Sequence, residues 1–140
     1  MAIVETDFII ALLNERDRLH RIYIEIAEED NLTLSPYTLI EVEMLWLSRR
    51  LIIEDYEAFQ RHLNDLLEYY SIRLMTDKPR YHAEAHRLRR ENNLTYFDSL
   101  HAAAALTEDL TLISSDPIYR RVENLKHLHP TEWRGRRQYL

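Results

Sequence analysis

The chain has no cysteine and one glycine, Gly135, in 140 residues. Without cysteine there is no disulfide framework, no thiolate metal site and no cysteine nucleophile, as suits a reducing cytoplasm. The lack of glycine excludes more. A P-loop and a dinucleotide fingerprint each need several glycines for close backbone approach to phosphate, so nucleotide-cofactor chemistry of those two kinds is out. Long apolar runs are missing as well. None approaches the ~20 residues that cross a bilayer, and MAIVETDF lacks the basic segment and apolar run of a secretion signal. The expectation is a soluble, cytoplasmic chain with no membrane contact. An excess of positive charge is also absent, the net charge being −6. Nonspecific nucleic-acid binding is driven by positive charge, so any RNA contact must use local basic groups.

What is present suits one globular domain over residues 1–140, with a basic tail at 130–140: 46% of the residues are hydrophobic, enough for a sizeable core. The stretch Leu94–Asp116 organises the reading. It predicts a loop, an alanine-rich helix over Phe97–Thr107, and a buried strand over Leu110–Ile113 that runs into Ser114-Ser115-Asp116-Pro117. Other short apolar runs, Ala2–Glu5, Leu32–Leu34, Ile72–Met75 and Leu125–Leu128, read as strands. Helical spacing predicts helices from Asp7 to Leu13, Arg18–Glu28, Ser35–Arg49, Ile53–Tyr70 and Pro79–Asn92, with one or two turns over Pro117–Val122. Asn92-Asn93 ends its helix where glycine would be commoner. Strands separated by helices argue an α/β fold with a parallel sheet covered on both faces.

Four acids then fall at equivalent places. Asp7 follows the first strand and Asp116 the fourth; Glu41 enters the helix after the second strand, and Asp98 the helix before the fourth. In a parallel sheet the strands' carboxyl ends share one edge, where such sheets bind ligands. Each acid also has a local explanation. Thr38-Leu39-Ile40-Glu41 matches a capping box and Thr95-Tyr96-Phe97-Asp98 resembles one. Asp116-Pro117 reads as an N-cap with proline at N1, and Asp7 suits a cap on the first helix. Capping does not need all four at one edge. A carboxylate cluster without cysteine or histidine spacing suits a hard divalent ion, Mg²⁺ or Mn²⁺.

At these residues the sequence resembles PIN domains, in particular the small PIN ribonucleases that are VapC-type toxins. The matching pieces, in order, are Glu5-Thr6-Asp7-Phe8, Leu34–Glu41, Tyr96–Ala103, Leu112–Tyr119 and Val122-Glu123-Asn124-Leu125…Trp133. The resemblance implies a Rossmann-like, three-layer fold with a five-stranded parallel sheet of order 3-2-1-4-5. It implies that Asp7, Glu41, Asp98 and Asp116 hold Mg²⁺ or Mn²⁺ and are catalytic. It further implies metal-dependent cleavage of RNA, a cognate antitoxin protein that inhibits it, and a homodimer. Ser114 falls where the family often has a hydroxyl residue beside the last acid, a position suited to touching a metal-bound water. Ile118 stands where many members carry a further acid.

Other features have plainer readings. His82 and His86 lie four apart, as zinc ligands can, but no third ligand is evident and both read as surface histidines. His101 reads as half-buried and not catalytic. Arg87/Arg89/Arg90, Arg120/Arg121 and Arg134/Arg136/Arg137 are candidate phosphate contacts, each also explicable as a solvated face. Trp46, Leu47, Tyr56 and Phe59 read as core, or as a dimer or antitoxin surface. Two other classes stay open: a catalytically silent PIN-fold interaction module that binds a partner protein or RNA, and a phosphoacceptor receiver, which also places aspartates at strand ends.

Overall fold

The computed structural model describes the backbone of residues 1–137 and the side chains of residues 1–133. Five parallel strands, β1 (Ala2–Val4), β2 (Leu32–Leu34), β3 (Arg73–Leu74), β4 (Thr111–Ile113) and β5 (His127–Leu128), form one sheet of order β3-β2-β1-β4-β5. Seven helices connect and flank it: α1 (Thr6–Leu13), α2 (His20–Glu29), α3 (Thr38–Leu47), α4 (Tyr56–Tyr69), α5 (Pro79–Asn92), α6 (Tyr96–Thr107) and α7 (Pro130–Arg137). A 3-10 helix covers Pro117–Arg121. The expected basic tail is thus helical through Arg137. The side chains of Arg134, Arg136 and Arg137, and all of 138–140, lie outside the described residues.

Strand alternation divides the core into two layers. Ala2, Val4 and Ile113 join Phe8, Leu12, Tyr23 and Leu63 on one face, while Ile3 and Leu112 join Tyr81, Leu88, Leu100 and Tyr119 on the other. Ala102–Ala105 are completely buried; with no side chain beyond Cβ they let α6 approach the sheet closely. The observed strand order also removes the receiver reading, because receivers place their strands 2-1-3-4-5.

Register fixes what meets at the sheet's carboxyl edge. Val4 is level with both Leu34 and Ile113, so the next residues, Glu5, Ser35 and Ser114, sit side by side. The predicted helix start at Ser35-Pro36 is too early for this reason: the Ser35 amide still donates to the Val4 carbonyl at 2.9 Å, and α3 begins at Thr38. Among the described residues no helix is long and apolar enough to cross a membrane.

Candidate metal centre

The centre is built from the residues that leave three adjacent strands. Glu5, directly after β1, is buried, and its Oε1 caps α1 by accepting from the Asp7 amide at 3.3 Å. Ser114, directly after β4, donates from Oγ to the same oxygen at 3.2 Å and accepts from the Asp116 amide at 3.1 Å. Glu41, on the first turn of α3, receives a short hydrogen bond from Thr6 Oγ1 and lies 2.8 Å from His101 Nε2. His101 Nε2 is also 3.9 Å from Glu5 Oε2. One ligand atom from each of Glu5, Glu41 and His101 lies within 4.8 Å of the other two. Among the described residues no other group of three or more histidine or acid side chains has ligand atoms so close.

The remaining acids lie around this trio. Asp7 Oδ2 accepts from Tyr23 Oη at 2.7 Å and from the Ser115 amide at 2.8 Å, while Oδ1 is buried with no hydrogen-bond partner. Asp98, at the start of α6, is 3.3 Å from Tyr119 Oη. Asp116 is exposed and caps the 3-10 helix through the Ile118 amide at 2.9 Å.

Charge tells these groups apart. Burial pushes the Glu5 carboxyl well above its ordinary value, and the negative Asp7 and Glu41 push it the same way. Burial also acts to raise Glu41, but the hydrogen bond and charge of His101 and the bond from Thr6 outweigh it, so its pKa falls. Asp98 is raised by burial and by the charges of Asp116 and Glu41. Among the described residues only Glu5 and Glu41, with His101, are brought within ligand distance of one another. Asp7, Asp98 and Asp116 act on them or on each other through charge, and among the described residues no lysine or arginine forms an ion pair with any of the five. An orphaned, buried carboxylate oxygen costs about 1–3 kcal/mol or more. The residues fit a divalent cation: the donors are mostly oxygen, closely grouped, and short of positive charge.

The sequence readings divide on this geometry. Glu41 does not complete a capping box; α3 has no side-chain cap, and the buried Thr38 Oγ1 has no partner. Asp116 does cap its helix as read, and α1 is capped by Glu5, not Asp7. Glu5 escaped notice as a site residue. The available signal was a carboxylate closing the apolar run Ala2–Glu5. His101 is completely buried, not half-buried, and it touches Glu41. Ser114 is buried against Glu5 and Asp116. His82 and His86 are exposed, as expected of surface histidines, with His82 2.9 Å from Asp77.

Of the arginines, Arg87 pairs with Glu84 and Glu91, and Arg120 pairs with Glu132. Arg89 donates to Ser99 Oγ at 2.7 Å and lies over the Tyr96 ring, 5.3 Å from its centre. Arg90 and Arg121 are exposed. Phe59 packs on the core, Trp46 stacks on Tyr56 with centroids 4.0 Å apart, and Leu47 is exposed.

Several solved structures share this architecture. VapBC2 from Rickettsia felis, bound to a DNA fragment from its promoter, is 19% identical, with 91% of this chain and 97% of that chain covered and a TM-score of 0.71. PAE2754 from Pyrobaculum aerophilum is 23% identical, with 99% and 96% covered and a TM-score of 0.68. A toxin–antitoxin complex from Klebsiella pneumoniae is 20% identical, with 93% and 98% covered and a TM-score of 0.67. At such identities these likenesses establish the fold alone. No curated protein sequence matches significantly. The PIN domain profile, however, matches residues 2–125, from β1 to the approach of β5 and across every acid of the centre. With its sheet order, its carboxyl-edge acids and that match in agreement, the chain belongs to the PIN domain family.

Proposed function

We propose that the protein is a metal-dependent endoribonuclease, the toxin of a VapBC-type toxin–antitoxin pair. The observation that carries the reading is the close grouping of Glu5, Glu41 and His101 at the carboxyl edge of the sheet, with an unpartnered, buried Asp7 oxygen nearby and, among the described residues, no lysine or arginine paired to the acids. Glu5 and Glu41 would hold the ion, joined by Asp7, Asp98 and Asp116. A bound Mg²⁺ or Mn²⁺ supplies positive charge to a phosphate oxygen and lowers the pKa of a water. Asp98, at the start of α6 beside Tyr119 Oη, would be one of the carboxylates that orient the attacking water. Ser114 holds Glu5 and the Asp116 backbone in place.

RNA is held by local features, since the chain as a whole is acidic. Tyr96 is 57% exposed two residues before Asp98, with Arg89 over one face of its ring. An aromatic ring backed by a guanidinium suits stacking of a splayed base. Tyr96→Ala is expected to raise KM roughly tenfold with kcat nearly unchanged, the size of one lost stacking contact, measured on a single-stranded oligonucleotide. The antitoxin and a second copy of the chain are the protein partners of this reading. Exposed Ile40, Met44 and Leu47 on α3, and Ile52 beyond it, offer apolar surface for them.

The test is cleavage of labelled RNA by purified protein with Mg²⁺, Mn²⁺ or EDTA. Asp98→Asn is run alongside and its folding checked by circular dichroism. Cleavage that stops in EDTA and falls about 10²–10⁴-fold in the variant supports the reading. Equal trace activity in every lane would instead make the chain a silent interaction module.

A further inference from the structure

We propose that His101 Nε2 is itself a ligand of the ion at this centre, and that it makes the site prefer Mn²⁺ and other first-row transition ions over Mg²⁺. The inference rests on the metal-centre reading above and goes beyond its carboxylates. His101 is completely buried on α6, and its ring is fixed on three sides. Ser35 Oγ lies 2.6 Å from Nδ1, Tyr37 stands edge-on with centroids 6.3 Å away, and Phe97 is stacked at 6.5 Å. These contacts leave Nε2 aimed at Glu41 Oε1, 2.8 Å away, and Glu5 Oε2, 3.9 Å away.

The spacing suits two states. In one neutral tautomer Nε2–H donates to Glu41 Oε1 and Nδ1 accepts from Ser35 Oγ. With the ring proton on Nδ1 instead, donated to Ser35 Oγ, Nε2 presents a lone pair to the same space. The partner of one ring nitrogen fixes which state the other adopts, and a hydroxyl is able to serve either. Two donors at right angles around an ion ~2.1 Å from each are about 3 Å apart, close to the 2.8 Å between Nε2 and Oε1. Mg²⁺ favours oxygen donors and gives up water reluctantly. An imidazole donor instead shifts preference toward ions that accept nitrogen, increasingly along the series from Mn²⁺ to Co²⁺ and Ni²⁺.

The test is Mn²⁺ and Mg²⁺ binding to the full chain, by titration calorimetry and by electron spin resonance of the Mn²⁺-loaded protein. Wild type is expected to bind Mn²⁺ at least ~10-fold tighter than Mg²⁺. Its electron spin-echo spectrum should carry modulation from a directly coordinated nitrogen. His101→Gln, which keeps a donor near Glu41, should lose the nitrogen signal and about 10–100-fold in Mn²⁺ affinity, with Mg²⁺ changing little. An unchanged Mn²⁺/Mg²⁺ ratio, or wild-type spectra without nitrogen modulation, would overturn the inference while leaving the carboxylate site standing. The spectrum needs no variant, so it decides even if His101→Gln fails to fold. Failure of wild type to bind either ion would overturn the metal centre itself, and this inference with it.

Discussion

Glu5 and Glu41 face the same imidazole from different elements, yet burial leaves one raised and histidine and threonine leave the other lowered. Glu5 therefore holds its proton in the ion-free protein above its ordinary value of 4.5. A folded state that keeps a proton the unfolded chain has lost becomes less stable as pH rises. The Glu5 contribution is fully present below the ordinary value and disappears as pH climbs through the raised one. Glu5→Gln removes that penalty. In EDTA, the variant should unfold at higher urea than wild type at pH 8, by roughly 1 kcal/mol, and the gap should narrow toward pH 5. A gap that stays constant with pH would mean Glu5 is not held protonated.

At the scale of elements, the scarcity of glycine has a visible consequence. Four helix exits turn through the left-handed region on residues with a Cβ: Arg49 after α3, Ser71 after α4, Asn93 after α5 and Asp109 after α6, with φ of 63°, 56°, 54° and 54°. That region costs an ordinary L-residue about 1–2 kcal/mol, part of which glycine recovers against its own entropy. Arg49→Gly and Ser71→Gly should each raise the unfolding free energy by roughly 0.5–1 kcal/mol in urea titrations. Asn93→Gly should gain less, because asparagine tolerates the turn. An unmoved urea midpoint for the first two would refute the assignment of strain.

The elements themselves were largely legible because their periods are strong: Leu32–Leu34 and Pro79–Asn92 match the structure at both ends. The site was legible in part. Convergence followed from strand ends, but the acid that meets Glu41 and His101 is Glu5, two residues before the aspartate singled out. Local patterns misled at Glu41, where Thr38 and Glu41 have capping-box spacing but Glu41 bonds across the fold to Thr6 and His101. No local pattern reports partners 35 and 60 residues away in sequence. Asp116 was legible because its cap is local.

For the whole molecule, the parallel sheet turns separate weak signals into one concentrated field. Glu5, Ser35 and Ser114 are level because β1, β2 and β4 are in register, and α3 and α6 add Glu41, Asp98 and His101 from above. A net-acidic chain with this much negative charge at one edge repels RNA unless a cation intervenes. Under the proposed function, metal binding would therefore be coupled to RNA binding by charge. The most direct measurement is an anomalous difference map from crystals of the protein grown with Mn²⁺. The account predicts a peak roughly 2.0–2.3 Å from carboxylate oxygens of Glu5 and Glu41. An ordered, peak-free site, with Glu5 and Glu41 in direct contact with protein groups alone, would contradict it.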